Sequence, residues 1–132
     1  MLGSGLAWDD PQVTMTVLIV DDHAGFRSFA RRLFEAGGYT VVGEAGDGAS
    51  ALAAIEQLRP ELVLLDVVLP DIDGLDVAEQ LAGSGTETVV VLTSSREATD
   101  FGERLERSSA RGFIAKSELT AAAVAQLVSG SG

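Results

Sequence analysis

The stretch Leu62-Val63-Leu64-Leu65-Asp66-Val67-Val68-Leu69-Pro70-Asp71-Ile72-Asp73-Gly74 decides the fold of this chain. Four apolar residues stop at a lone carboxylate, and a Pro–Gly loop follows. A short, continuous apolar run bounded by turn signals reads as a buried parallel strand. Three more runs repeat the pattern. Val17-Leu18-Ile19-Val20 stops at Asp21-Asp22, Val89-Val90-Val91-Leu92 stops at Thr93, and Gly112-Phe113-Ile114-Ala115 stops at Lys116. Ligands of open α/β sheets gather outside the carboxyl ends of the strands. Carboxylates, a hydroxyl and an ammonium from distant sequence should therefore converge at one sheet edge.

Between these runs the chain alternates strand and helix. Ala24–Ala36 carries Phe26, Phe29, Ala30, Leu33 and Phe34 at helical spacing, read as core packing, and Gly37-Gly38 supplies a stop. Thr40–Ala45 reads as the second strand. Asp47 can cap a helix through Ala49, Leu52, Ala53, Ile55 and Leu58, which Pro60 ends. A short helix is expected over Leu75–Leu81 and the fourth strand over Thr88–Leu92. A weak helix is expected over Glu97–Ser108, with Gly102 inside it. Ser117 can cap a last helix to about Val128. Five βα units predict one α/β three-layer domain around a parallel sheet. Residues 1–14, which include Trp8, read as a loose arm and 129–132 as a linker-like tail, leaving 15–128 as the domain.

Composition narrows the function. The 132 residues suit one domain, and 46% hydrophobic content is that of an ordinary globular protein. The net charge is −11, from 9 Lys+Arg against 20 Asp+Glu. With no basic patch, neither direct nucleic-acid binding nor attraction to anionic membranes is expected. No cysteine is present, which removes disulfides and Cys-based metal sites. No leader or spanning segment is read, so a cytoplasmic location is the expectation.

The convergent groups suit phosphoryl chemistry. Mg²⁺ takes hard oxygen ligands, usually one or two carboxylates with waters and phosphate oxygens. A carboxylate can also be the nucleophile that forms an aspartyl-phosphate. Asp22 and Asp66 suit the metal, with Asp21 nearby. Asp66, alone at its strand end, is the better nucleophile, and Lys116 and Thr93 supply positive charge and a donor. Each residue also has a plainer reading. Asp21-Asp22 and Asp66 could cap helices, Lys116 could be a solvated lysine, and Thr93 could be a turn residue with Ser94 as its rival. His23, the single histidine, reads as a loop residue.

Taken in order at successive strand ends, these motifs resemble the receiver domain of two-component response regulators. The resemblance covers roughly residues 15–128. It implies a flavodoxin-like (βα)5 three-layer sandwich with a five-stranded parallel sheet in order 2-1-3-4-5. It implies that Asp66 accepts a phosphoryl group from a sensor histidine kinase or phosphotransfer protein. Asp21 and Asp22 would then hold Mg²⁺ together with Asp66 and the backbone carbonyl of Val68. Lys116 would pair with the phosphoryl group, and Thr93 and Phe113 would act as switch residues. Such a domain signals rather than catalyses a metabolic reaction. Its partners would be a downstream effector or a missing output domain, and phosphorylation-dependent homodimers are allowed. Asp21-Asp22-His23 also resembles receivers with a LuxR-type helix-turn-helix output, and no such output is read here. The chain departs from the family at Ser117, where proline is usual, and at Phe113, where a tyrosine is common.

Two other classes compete. A metal-dependent phosphohydrolase would use an Asp nucleophile, but it needs a second Asp at the place of Val68. Gly46-Asp47-Gly48-Ala49-Ser50-Ala51 imitates a dinucleotide fingerprint, yet it follows the second strand rather than the first. Asp47 would also repel a pyrophosphate.

Overall fold

The computed structural model describes residues 15–129, so the arm over 1–14 and the last three residues lie outside it. The five strands are β1 Thr16–Val20, β2 Thr40–Ala45, β3 Leu62–Asp66, β4 Val89–Ser94 and β5 Gly112–Ala115. They form one parallel sheet in the order β2-β1-β3-β4-β5. The helices are α1 Ala24–Ala36, α2 Gly48–Leu58, α3 Gly74–Gly83, α4 Glu103–Glu106 and α5 Ala121–Ser129.

The period-2 alternation of side chains divides each central strand between two cores. Leu18 and Val20 of β1 and Val63 and Leu65 of β3 pack with Ala51, Ile55, Leu75 and Ala78 of α2 and α3. Val17 and Ile19, with Leu62 and Leu64, pack on the other face with Ala30, Phe34 and Val124 of α1 and α5. Burial on both faces explains why β1 and β3 read as unbroken apolar runs.

Several boundaries carry their own physical explanation. The α2 helix starts at Asp47, whose carboxylate accepts the Ser50 N–H at 2.7 Å. It ends at Arg59, held at φ 49°, just before Pro60. Strand β4 runs past Leu92 to Ser94, because Thr93 and Ser94 still pair with Ile114 and Ala115.

Four expectations need correction. Phe29 is 45% exposed, so the α1 core stripe rests on Ala30 and Phe34. The weak helix over Glu97–Ser108 is two pieces: a 3-10 turn at Ala98–Phe101, then the four-residue α4. Gly102, at φ 61° and ψ −144°, breaks it in a conformation that only glycine adopts readily. The Glu97 N–H also donates to the Asp100 carboxylate at 3.1 Å, which closes the first turn on itself. Ser117 does not cap the last helix. It lies in a 3-10 turn over Lys116–Glu118, and Thr120 accepts the Ala123 N–H at 3.0 Å instead. Finally, Ser129 belongs to α5, donating its hydroxyl to Ala125 O at 2.7 Å.

Among the described residues no helix is long and apolar enough to cross a membrane.

Candidate phosphoryl and metal site

Three strands deliver charge to one point because each stops where its apolar run stops. Asp21 follows β1, Asp66 ends β3 and Lys116 follows β5. The Lys116 ammonium lies 2.6 Å from Asp21 Oδ2 and 3.2 Å from Asp66 Oδ2. Both carboxylates are buried, Asp21 fully and Asp66 to 3% exposure. Asp22, the next residue, faces solvent. Lys116 is further confined by Phe26 of α1, whose ring centre is 4.3 Å from Nζ, a cation–π contact.

The backbone holds this arrangement rigidly. Asp21 N–H donates to Ala45 O at 3.0 Å, and the Arg27 guanidinium donates to Asp21 O at 2.6 Å. Arg27 is itself fixed by Glu44, 3.0 Å away. Val68 N–H donates to Asp66 Oδ1 at 3.0 Å. The loop after Asp66 then turns back, with Gly74 N–H donating to Val67 O at 2.7 Å. A side chain at Gly74 would collide with the Asp66 carbonyl and the Val67 backbone. Glycine is thus required there by close approach.

Burial dominates the electrostatics of Asp66. Desolvation pushes its pKa up to about 6, the Val68 N–H opposing and the neighbouring Asp21 adding to the shift. Burial pushes Asp21 upward too. There the Lys116 ammonium, the His23 N–H and the Asp66 carboxyl together outweigh it and leave the pKa lowered. Burial disfavours the Lys116 ammonium, but Asp21 and Asp66 more than offset that and its pKa is raised.

Thr93 sits opposite Asp66 in the β3–β4 register. Its buried hydroxyl donates to Ile114 O at 2.6 Å, away from the carboxylate. Phe113 is half-buried and packs on Phe101, with ring centres 6.1 Å apart. Val68 has its side chain 46% exposed at the rim.

Asp21, Asp22, His23 and Asp66 each offer a ligand atom, all within 4.8 Å of one another. Asp21 Oδ2 is buried and pairs with the Lys116 ammonium at 2.6 Å. The hard carboxylate oxygens of this set fit a divalent cation by their chemistry. His23 was not expected in this cluster. Its adjacency to Asp22 was the available signal, since consecutive residues of one loop can share a centre. Phe26 was likewise missed as a site residue, because on α1 it reads as core packing, and Arg27 carries no motif that singles it out.

The glycine-rich turn at Gly46–Gly48 is accounted for elsewhere. Asp71, from the loop after β3, accepts the Gly48 and Ala49 N–H groups at 2.7 and 2.9 Å. A side-chain carboxylate occupies the donors that a pyrophosphate would need. Its pKa is lowered by those same backbone donors, Gly48 first.

Residues 17–127 match the response regulator receiver domain. The transcriptional regulatory protein PdtaR of Mycobacterium tuberculosis is 36% identical over 81% of this chain and 52% of its own length. The response regulator GacA of Pseudomonas viridiflava is 37% identical over 76% and 47%. The solved signal receiver domain of NarL from Mycobacterium tuberculosis superposes with a TM-score of 0.77, at 32% identity, covering 88% of this chain and 98% of that one. The chain spans about half the length of the curated relatives it matches. The chain belongs to the response regulator receiver family, the signalling domains of two-component systems.

Proposed function

We propose that Asp66 is the phosphoacceptor of this domain, taking a phosphoryl group from a sensor histidine kinase or phosphotransfer protein. The observation that carries this reading is the Lys116 ammonium within 2.6 Å of Asp21 and 3.2 Å of Asp66, at the carboxyl ends of three strands.

An ionised Asp66 oxygen attacks phosphorus, a carboxylate O–P bond forms, and the donor's N–P bond breaks. The bond to the Val68 N–H keeps the Asp66 carboxylate oriented throughout. Lys116 shares its charge with the incoming phosphoryl oxygens. Asp21, Asp22, Asp66 and the Val68 carbonyl would hold Mg²⁺, which would supply neutralisation of phosphoryl charge. Asp66, whose ionised form burial opposes, would ionise more readily beside it.

The output is a changed surface. Thr93 exchanges its bond to Ile114 O for one to the phosphoryl group, and Phe113 changes the packing it now makes on Phe101. Because the relatives that this chain half-spans are transcriptional regulators, the effector is a DNA-binding output domain or a separate protein.

Acetyl phosphate should add one acid-labile phosphoryl group when Mg²⁺ is present and none in EDTA. Turnover of phosphate esters without retained label would favour a hydrolase instead.

A further inference from the structure

We propose that His23 is a nitrogen ligand of the cation in this site, giving a mixed oxygen–nitrogen centre selective for late first-row divalent ions over Mg²⁺. The inference rests on the metal role assigned above to Asp21, Asp22 and Asp66.

The contacts are of hydrogen-bond length, a spacing that adjacent ligands of one ion also have. His23 Nδ1 lies 3.0 Å from Asp22 Oδ1 and 3.2 Å from Asp21 Oδ1. An octahedral ion with bonds of about 2.1 Å sets adjacent ligand atoms about 3.0 Å apart. The backbone of the turn is fixed beside the carboxylates. His23 N–H donates to Asp21 Oδ1 at 2.8 Å, a tight link across two residues. His23 also holds the N-cap position of α1, yet its side chain caps no backbone N–H. An imidazole that is 71% exposed is thus turned onto two carboxylates rather than onto the helix end.

The ring tautomer permits both states. With the proton on Nδ1, the ring donates to the carboxylates. With the proton on Nε2, the same atom offers a lone pair to an ion. Imidazole nitrogen suits nickel, zinc and copper, whereas Mg²⁺ prefers oxygen. His23 therefore adds affinity for the first group and little for Mg²⁺. A competing role exists, in which Nδ1–H only donates to Asp22. Removing the ring would then free a carboxylate and tighten every ion alike.

The test is calorimetric titration of the untagged chain with Mg²⁺ and Ni²⁺ separately, in wild type, His23→Ala and Asp22→Asn. The wild type should bind one Ni²⁺ more tightly than Mg²⁺. His23→Ala should weaken Ni²⁺ by about tenfold or more while moving Mg²⁺ by less than about threefold. Asp22→Asn should weaken both. Because the chain has a single histidine, nitrogen coupling in the pulsed EPR spectrum of bound Mn²⁺ should report this ring and vanish in His23→Ala. Unchanged or tighter Ni²⁺ binding in His23→Ala overturns the inference, with Mg²⁺ binding intact leaving the phosphoacceptor reading untouched. Ni²⁺ binding indifferent to Asp22→Asn overturns it as well, since the ring would then act as an isolated surface imidazole. Absence of binding by either ion overturns both readings.

Discussion

Gly74 packs its α-carbon directly against the carbonyl of Asp66, with no room for a methyl group between them. The same glycine donates its N–H to Val67 O at 2.7 Å. A residue eight positions downstream thereby sets the backbone path of the acidic strand end. Gly74→Ala should destabilise the domain by about 1–3 kcal/mol through forced backbone movement. It should also slow phosphorylation by displacing the Asp66 carboxylate. Urea unfolding and labelling rates on the same preparation check both parts.

The Asp66 carboxyl predicts a pH-dependent gain in stability on mutation, in metal-free buffer. Its folded pKa of about 6 exceeds the ordinary 3.8. Below 3.8 the folded and unfolded chains both hold the proton, and the site carries no penalty. Between the two values the folded chain binds a proton that the unfolded chain lacks, so raising pH through this window removes stability. Above it the penalty is complete. Asp66→Asn should therefore be more stable than the parent well above pH 6, on the order of 1 kcal/mol. The gain should vanish in acid. Thermal unfolding of the two proteins across pH measures the difference.

Hydrogen exchange should be fastest, among the helical segments, over residues 98–106. The 3-10 turn and the four-residue α4 have no buried residue of their own, and Gly102 interrupts their hydrogen bonding. Arg104 ties α4 to Asp73 and Asp76 at 2.9 and 3.1 Å. Such exposed ion pairs add only about 0.2–1 kcal/mol each. Exchange there should slow with phosphate or beryllofluoride bound. Protection equal to that of α1 in the free domain would contradict this account.

The phosphorylated state should outlast that of a Val68→Asn variant. Hydrolysis needs a water in line with the Asp66–phosphorus bond, and Val68 sits at the rim with no hydrogen-bonding side chain. Ser95, also exposed, is short. A decay about tenfold slower in the parent requires only about 1.4 kcal/mol of barrier. Phosphate-release kinetics decide the matter, and equal rates would remove the role given to Val68.

How far the sequence was legible depends on how local each signal is. Strands β1 and β3 were legible because burial on both faces leaves no polar residue inside the run. Asp21, Asp66 and Lys116 were legible as a site because each stands where such a run stops. The 97–108 segment was misread because Gly102 lies within an otherwise helical pattern, and its left-handed φ appears only in three dimensions. Thr120 displaced Ser117 as the α5 cap because the chain spends Lys116–Glu118 on a 3-10 turn. Asp71 was opaque for a different reason. Its partners, Gly48 and Ala49, lie more than twenty residues away on another element.

The most direct test of the central claim is intact-mass spectrometry after incubation with acetyl phosphate and Mg²⁺, on the parent chain, Asp66→Asn and Lys116→Ala. The parent should gain one phosphoryl group, and peptide mapping should place it on Asp66. Asp66→Asn should gain none while keeping its fold. Lys116→Ala should be labelled more slowly than the parent. Undiminished labelling of Asp66→Asn would contradict the assignment of Asp66 as phosphoacceptor.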